Sequence, residues 1–397
     1  MTSGTITVAM AETFFFHIGY HHELTSSPPQ GTVFRKHPVT MAYDHDTQQQ
    51  VDYITSIDSK NIVIPKLETD NADIIHSPHP LHTRKPLIVD SDYFYYPYIY
   101  NLHQFRDLVF FRYPFDNHHL TPGMKKRLTV YETVMRKDNF HYLLSWSQWN
   151  RECFARHVQD REILEKIEVL YPAVKNSTTP PIPKKNPNHI SLLFCGRPFL
   201  RKGGDIFLKL MEILQKKYKA TNHELTWTIV TDQLPEKIKA NFPPNVAVYD
   251  SETGTSTHKN TLKYSLTKDQ LNRLYQESDI LVYPSKIDSF GMVLLEAMNY
   301  HLPIVAASGS YTPVMPEIIE DGKTGFLVAM KQQGSRFSIH IDEIVKKVSL
   351  LIENKPLRQQ IATEAKKMIS QGKFSLEQRN KQLYTFYQKA LNRSRNK

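Results

Sequence analysis

An acid, a glycine and a second acid follow a short apolar segment in the second half of the chain. The run ILVYPS ends at Ser285, and Asp288, Gly291 and Glu296 come after it. Gly291 stands at the expected start of a helix, where free backbone N–H groups attract phosphate. Asp288 could accept hydrogen bonds from sugar hydroxyls, and Glu296 could reach the two hydroxyls of a ribose. This pattern suits a sugar nucleotide; the alternative is an acidic helix start with Ser289 as its N-cap.

Two cations lie in a second loop, Gly196–Gly203 (GRPFLRKG), which directly follows the apolar run ISLLFC. Arg197 offers a planar fork of donors and Lys202 a point charge, and both suit phosphate oxygens. Beside a diphosphate, they would neutralise the charge that develops as its bond to a sugar breaks. The alternative is a pair of surface cations in a turn.

The elements around these loops alternate regularly between strand and helix. Short apolar runs predict strands, and apolar residues at helical spacing predict helices. This alternation indicates an α/β domain with a parallel sheet covered on both faces, a doubly wound fold. The strands are expected at 190–195, 225–230, 245–249, 280–283, 303–306 and 325–328, and the helices at 205–218, 268–277 and 291–299, with two more towards the C-terminus.

The first half of the chain is also compatible with an α/β domain, although residues 1–60 are poorly informative. Strands are expected at 61–64, 73–76, 86–89, 142–145 and 167–170, and a helix at 148–155. Residues 176–189 are rich in Pro, Asn, Ser, Thr and Lys, which is typical of a linker. We therefore expect two Rossmann-like domains, 1–175 and 190–370, that face a central cleft, followed by a basic helix, 371–397, which could return to the N-terminal domain.

Order and spacing together resemble the GT-B glycosyltransferases, in particular the retaining enzymes of glycosyltransferase family four. The family carries two acids at the spacing of Asp288 and Glu296, although the first is usually Glu. The likeness covers roughly residues 190–330. Its segments are GRPFLRKG, LTKDQLNRLYQESDILVYPS (266–285), DSFGMVLLEAM (288–298), LPIVAA (302–307) and EIIEDGKTGFLV (317–328).

The resemblance implies a role for each matching residue. Arg197 and Lys202 would bind the donor diphosphate and stabilise the departing nucleotide, Glu296 would bind the ribose, and Asp288 would hold the transferred sugar. No metal and no other cofactor is expected, and a UDP-, GDP- or ADP-linked sugar would be a substrate. The remaining donor-binding positions are Gly196, Ser289, Phe290, Gly291, Met292 and Val293.

The N-terminal half matches the family more weakly. The segment 73–79 (DIIHSPH) is similar to a family strand that ends in His near the acceptor, so His76 and His79 are candidates for the acceptor side. Many members carry a His in the catalytic site where this chain has Asp92, and either Asp92 or Asp90 would replace it. The glycine pair that the family has after its first strand is not visible in residues 1–60.

Composition limits the remaining possibilities. The chain has 397 residues, two cysteines and a net charge of +10, and no apolar run approaches the ~20 residues that span a bilayer. The sparse cysteines predict a cytoplasmic protein. The positive charge lies in the C-terminal half, which could contact anionic lipid at the inner face of a membrane. No recognised nucleic-acid-binding module is present, so nucleic acid is not an expected partner.

These features predict a retaining glycosyltransferase that moves a sugar from a nucleotide-sugar donor to a glycan, a lipid-linked or another acceptor. The alternative is a protein of the same fold that binds nucleotide sugar or acts as a scaffold without catalysis. The departures in the N-terminal half favour the alternative, whereas the intact pairs of cations and acids favour the enzyme.

Overall fold

The computed structural model describes residues 4–13, 18–56, 61–92, 94, 120–182, 186–231, 234, 238, 242–250, 266–333 and 336–395. The chain forms two compact units. Unit 1 comprises residues 1–175 together with 376–397, and unit 2 comprises residues 176–375. Among the described residues, no helix is both long enough and apolar enough to cross a membrane.

Unit 1 is built on a parallel sheet of six strands in the order β2-β1-β6-β7-β8-β9. Three other strands form a small antiparallel sheet in the order β4-β3-β5. The central strands β6, β7 and β8 are buried along their whole length, which is why their sequences read as apolar runs. The strands are β1 Ile6–Glu12, β2 Thr32–Pro38, β3 Met41–Asp44, β4 Gln50–Asp52, β5 Val63–Lys66, β6 Ile74–Ser77, β7 Leu87–Ser91, β8 Phe140–Ser145 and β9 Ile167–Val169.

Three helices of unit 1 begin at side chains that cap their free N–H groups. Thr121, Ser147 and Asp160 each accept a hydrogen bond from a backbone N–H of the helix that follows. The helices are α1 Ile18–Ser26, α2 Tyr53–Ser56, α3 Pro122–Met135, α4 Gln148–His157 and α5 Arg161–Leu164.

Unit 2 contains a sheet in the order β12-β11-β10-β13-β14-β15-β16, parallel except for β16, which pairs antiparallel with β15. The first six strands follow the order 3-2-1-4-5-6 of a doubly wound nucleotide-binding sheet, and the order reverses between β10 and β13. The strands are β10 His189–Cys195, β11 Glu224–Thr231, β12 Val246–Asp250, β13 Ile280–Tyr283, β14 Ile304–Ser308, β15 Phe326–Gln333 and β16 Arg336–Ile339.

Seven further helices follow β10 among the described residues; six belong to unit 2 and the last to unit 1. Two helices were expected beyond the last parallel strand, but the described residues contain three, because Asn354 caps a new helix at Leu357 N and Pro356 stands in its first turn. The helices are α6 Gly204–Tyr218, α7 Lys268–Glu277, α8 Met292–Asn299, α9 Met315–Ile318, α10 Ile341–Glu353, α11 Lys355–Ser370 and α12 Leu376–Arg395. The last of these, α12, belongs to unit 1.

The sheet of unit 2 is buried on both faces. On one face Leu192 and Phe194 pack in a core with Phe207 of α6 and Val348 of α10. Side chains alternate between the faces of a strand, so Leu193 points to the opposite face, and it too is fully buried. The expected doubly wound α/β architecture is therefore confirmed. Burial on both faces leaves the loops at the carboxyl ends of the strands as the places where polar chemistry can be positioned.

Candidate functional site

The loops that follow β10 and β13 lie against each other at the carboxyl end of the unit 2 sheet. The backbone N–H of Lys286 donates a hydrogen bond to the carbonyl of Arg201 over 2.9 Å. Gly203 has φ +80°, and a Cβ there would lie 2.0 Å from the carbonyl oxygen of Pro284. Since β10 and β13 are neighbours where the strand order reverses, this is the position at which such sheets bind ligands.

Lys202 and Asp288 form an ion pair at this junction. Lys202 Nζ lies 2.7 Å from Asp288 Oδ2, and both side chains are at least nine-tenths buried. Tyr283, the last residue of β13, donates its hydroxyl to the same carboxylate oxygen. Burial alone would raise the pKa of Asp288, but the charge and hydrogen bond of Lys202, with the hydrogen bond from Tyr283, hold it below its usual value. The acid is therefore ionised at neutral pH.

Glu296, one turn into α8, has a comparable environment. Its Oε1 accepts from Lys268 Nζ at 2.5 Å, and its Oε2 accepts from the hydroxyl of Tyr275 at 2.9 Å. The same hydroxyl lies 3.7 Å from the sulfur of Cys195, the last residue of β10. Burial and nearby Glu296 raise the pKa of Cys195 to about 12, so this thiol stays protonated. Glu296 thus lies at the carboxyl end of β10, as the Lys202 loop does.

The start of α8 differs in one detail from the expectation. The alternative in which Ser289 caps the helix is wrong, because the N-cap is Gly291, which has φ +88°. Phe290 and Gly291 are buried, with the Phe290 ring edge-on to Phe374. Ser289, Met292 and Val293 are partly exposed. The first N–H groups of a helix have no partner within it, so this turn can receive an anion.

Three other residues of the first loop, Gly196, Arg197 and Arg201, lie near the site. Gly196 closes β10, since its N–H donates to Val230 O at 3.0 Å and its carbonyl accepts from the Thr231 hydroxyl at 2.8 Å. Arg197 follows and is partly buried. Arg201 adds positive charge that lowers the pKa of Asp288 further.

In unit 1, three of the four candidate residues are buried. Asp90, at the end of β7, lies 3.1 Å from His21 Nε2 and 2.9 Å from His76 Nε2. These histidines hold the pKa of Asp90 well below its usual value against the opposing effect of burial. His79 is also buried, whereas Asp92 is partly exposed. The assignment of His76 and His79 to the acceptor side, and of Asp92 to the catalytic site, stays a prediction.

The sequence reasoning did not identify Tyr283, Tyr275, Lys268 or Arg201 as members of the site. In the sequence, Tyr283 is the last residue of an apolar strand. Lys268 and Tyr275 lie in a segment that has the pattern of an ordinary amphipathic helix. Arg201 immediately precedes Lys202, so a count of cations in the loop could have found it. Among the residues that the structure describes, no three His, Cys, Asp or Glu side chains are grouped as a metal site.

Comparison with known protein families matches residues 176–368 to the family of glycosyl transferases group 1. Residues 176–368 belong to this family. The match covers nearly all of unit 2 and includes both loops and α8, and we refer to this segment as the group 1 domain. The resemblance predicted from the motifs is confirmed.

Two relatives show how far the likeness extends along the sequence. An uncharacterized glycosyltransferase of Haemophilus influenzae is 28% identical over 178 residues, which is 45% of this chain and 44% of the relative. An uncharacterized 41.2 kDa protein in the cps region of Klebsiella pneumoniae is 28% identical over 218 residues, 52% of this chain and 53% of the relative. The chain thus matches about half the length of each of these relatives.

Solved structures extend the comparison to the fold of the whole chain. Anabaena Alr3699/HepE in complex with UDP-glucose has a TM-score of 0.58 at 13% identity, covering 97% of this chain and all of that one. WaaG, a glycosyltransferase involved in lipopolysaccharide biosynthesis, has a TM-score of 0.57 at 16% identity, covering 95% and 99%. At such identities the likeness concerns the fold alone. The chain has the GT-B fold, as expected.

Proposed function

We propose that this protein is a retaining glycosyltransferase that moves a hexose from a nucleotide sugar to a glycan, a lipid-linked or another acceptor. The observation that carries the proposal is the buried pair of Lys202 and Asp288, 2.7 Å apart where the strand order of the group 1 domain reverses. It joins a cation and an acid that lie in separate loops, beside the first turn of α8. Phosphate, sugar and ribose each have a matching group there.

In the proposed reaction the bond between the anomeric carbon and the diphosphate breaks, and its electron pair goes to the phosphate oxygen. The acceptor hydroxyl oxygen bonds to that carbon on the same face, and its proton is released. Lys202 and Arg197 would stabilise the charge that develops on the diphosphate, an effect worth about 10²- to 10³-fold in rate for one donor group. Asp288 would orient the sugar and Glu296 the ribose.

The proposal includes no metal ion and no other cofactor. Its support is the positive charge that the protein itself supplies, from Lys202, Arg197 and the N-terminal turn of α8. Arg201 adds to this charge, since it acts on the pKa of Asp288. The donor would be UDP-, GDP- or ADP-linked, and a UDP sugar is tested first because HepE was solved with UDP-glucose.

In the catalytic site we propose that Asp92, rather than Asp90, stands where many members of the family carry a His. The carboxylate of Asp90 is buried and lies within 3.1 Å of both His21 and His76, so a substrate hydroxyl would have to displace one of them. Asp92, two residues later, is partly exposed. His76 and His79 would shape the acceptor side from beneath, since neither ring is exposed.

The test measures binding and turnover of UDP-glucose, GDP-mannose and ADP-glucose by the wild type, Lys202→Ala and Glu296→Ala. We expect saturable release of one nucleotide by the wild type, and a loss of at least about 10²-fold in Lys202→Ala. Lys217→Ala is the matched control. Lys217 also forms an ion pair, with Glu353, but it lies near the C-terminal end of α6, about 20 Å along the helix from the end that follows the Lys202 loop.

Three measurements distinguish the retaining transferase from the non-catalytic alternative. NMR determines the anomeric configuration of the product. A retained configuration would support the mechanism, and an inverted one would exclude it. Binding of one donor without turnover, even with candidate acceptors, would favour the non-catalytic alternative. If no nucleotide sugar binds, the proposal is wrong.

A further inference from the structure

The two acids of the site have the same pair of neighbours. Asp288 contacts Lys202 and accepts a hydrogen bond from Tyr283. Glu296 contacts Lys268 and accepts a hydrogen bond from Tyr275. Each carboxylate therefore contacts one ammonium group and one phenol. The residues around Asp288 and those around Glu296 come from different helices, strands and loops.

The lysines differ in exposure, whereas the tyrosines do not. Lys268 is 60% exposed and Lys202 is 10% exposed. Tyr275 and Tyr283 are both essentially inaccessible to water. Burial raises the pKa of each of the two phenols well above its ordinary value, so both remain protonated and act as hydrogen-bond donors. The part of each arrangement that is fixed by packing is thus the tyrosine.

Each tyrosine is anchored to the framework of unit 2. Tyr283 is the last residue of the buried strand β13, and Lys202 Nζ lies 5.5 Å from the centre of its ring. Tyr275 lies on α7, where its ring stacks on Tyr300 with centroids 6.0 Å apart and planes 9° apart. A phenol on a rigid element fixes the position of an acceptor oxygen and adds no net charge.

The two carboxylates differ in which of their oxygens accept hydrogen bonds from the protein. Both contacts to Asp288 fall on Oδ2, so Oδ1 receives no hydrogen bond from the described residues. Glu296 instead has one donor on each oxygen. A carboxylate has about four lone-pair positions. Asp288 can therefore offer Oδ1 to one hydroxyl, and Glu296 can offer one further position on each oxygen to a pair of adjacent hydroxyls.

We propose that Tyr283 and Tyr275 are the positioning residues of the donor site, Tyr283 for the acid that orients the transferred sugar and Tyr275 for the acid that binds the ribose. This inference rests on the proposed function. It assigns different tasks to the two phenols, so their removal has different kinetic consequences. Neither tyrosine touches the reacting atoms; each acts through its carboxylate.

The test compares Tyr275→Phe and Tyr283→Phe with the wild type, using UDP alone and UDP-glucose as probes, or the GDP or ADP pair if the wild type prefers it. We expect Tyr275→Phe to weaken binding of the free nucleoside diphosphate and to raise KM about tenfold, with little change in kcat. A hydrogen bond to a charged group is worth enough for such a change. We expect Tyr283→Phe to lower kcat about tenfold and to leave the affinity for the free nucleoside diphosphate within about twofold.

Tyr218→Phe is the matched control. The hydroxyl of Tyr218 donates to Glu353 Oε1 at 2.5 Å, and Lys217 contacts the same oxygen at 3.0 Å. This is the same combination of Lys, acid and Tyr in the same unit, but it joins the C-terminal ends of α6 and α10. It should change neither affinity nor kcat, and thermal unfolding of all three variants shows whether a loss reflects folding.

The outcomes separate this inference from the proposed function. A wild type that binds none of the nucleotides overturns both. An active wild type with unchanged Tyr275→Phe and Tyr283→Phe overturns the inference and leaves the proposed function standing. Equal losses of affinity and kcat in both variants, or a comparable loss in Tyr218→Phe, would assign the tyrosines to stability alone and would also overturn it.

Discussion

His79 is a buried titratable side chain in unit 1, two residues beyond β6. Its Nδ1 lies 3.0 Å from the carbonyl oxygen of Pro80, and its Nε2 lies 3.4 Å from the hydroxyl of Tyr53. A neutral ring with its hydrogen on Nδ1 satisfies both contacts, as donor to the carbonyl and acceptor from the phenol. Burial lowers the pKa of His79 to about 4, against an ordinary 6.5. The folded state therefore favours the neutral ring.

We predict that unit 1 loses stability as the pH falls from about 6.5 to about 4. In this window the unfolded chain binds a proton at His79 and the folded chain does not, so the free energy of unfolding decreases with falling pH. The pKa difference corresponds to about 3 kcal/mol. Urea unfolding at several pH values measures the slope.

The variant His79→Asn tests the origin of that slope, because an amide can still donate to Pro80 but cannot titrate. We expect the pH dependence to become shallower. Part of it should remain, since His82 also has a pKa lowered to about 4, by burial and by the nearby charges of Lys137 and Lys66. An unchanged slope in His79→Asn would show that other groups dominate.

At the scale of elements, the site depends on how closely the loops after β10 and β13 approach. We predict that Gly203→Ala lowers the free energy of unfolding by more than about 3 kcal/mol and weakens donor binding. A left-handed conformation costs a non-glycine residue about 1–2 kcal/mol. In addition the new methyl group would overlap the Pro284 carbonyl and push the Lys202 loop away from Asp288.

Gly322→Ala is the control for backbone strain. Gly322 has nearly the same φ, +78°, but no atom lies within 4 Å of the position its Cβ would take. It should therefore cost only about 1–2 kcal/mol and leave donor binding unchanged. Denaturant unfolding and calorimetric titration with UDP measure both effects. Equal losses in the two variants would mean that the loop contact does not stabilise the site.

The burial of each strand explains how well it could be predicted from the sequence. Strands β10 and β13 are covered on both faces, so their apolar runs predicted them within one residue. The edge strand β2, Thr32–Pro38, has mostly exposed or half-exposed side chains and gave no such signal. Lys202 and Asp288 were expected in two loops of one donor site, but their direct ion pair was not predicted, because it depends on which strands are neighbours in the sheet. Tyr275 and Tyr283 could not be assigned, because a buried tyrosine reads as core until its hydroxyl partner is known.

At the scale of the whole molecule, the chain closes unit 1 with its last helix. The α12 residues Leu383 and Tyr387 are fully buried, and the hydroxyl of Tyr387 lies 2.6 Å from His76 Nδ1. His141 of β8 hydrogen-bonds Ser394 at 2.7 Å. Residues more than 250 positions apart in sequence are thus in contact within unit 1, whereas unit 2 is continuous from 176 to 375.

We predict that Leu383→Ala destabilises unit 1 by about 2–5 kcal/mol, because it leaves a cavity in a packed core. Since Leu383 belongs to unit 1 and the nucleotide would bind unit 2, affinity for UDP should stay within about twofold. Leu350→Ala, at a leucine that is 40% exposed on α10, should change stability by less than about 0.5 kcal/mol.

Hydrogen exchange followed by mass spectrometry assigns these effects to each unit. In Leu383→Ala, peptides from β6 and β8 should exchange faster, while peptides from β10 and β13 keep their protection. UDP should protect β10 and β13 in both proteins, because a ligand stabilises the folded unit that binds it. If β10 and β13 instead lost protection together with β6 and β8, the two units would unfold as one cooperative body. The last helix would then stabilise the donor site as well as the unit in which it is packed.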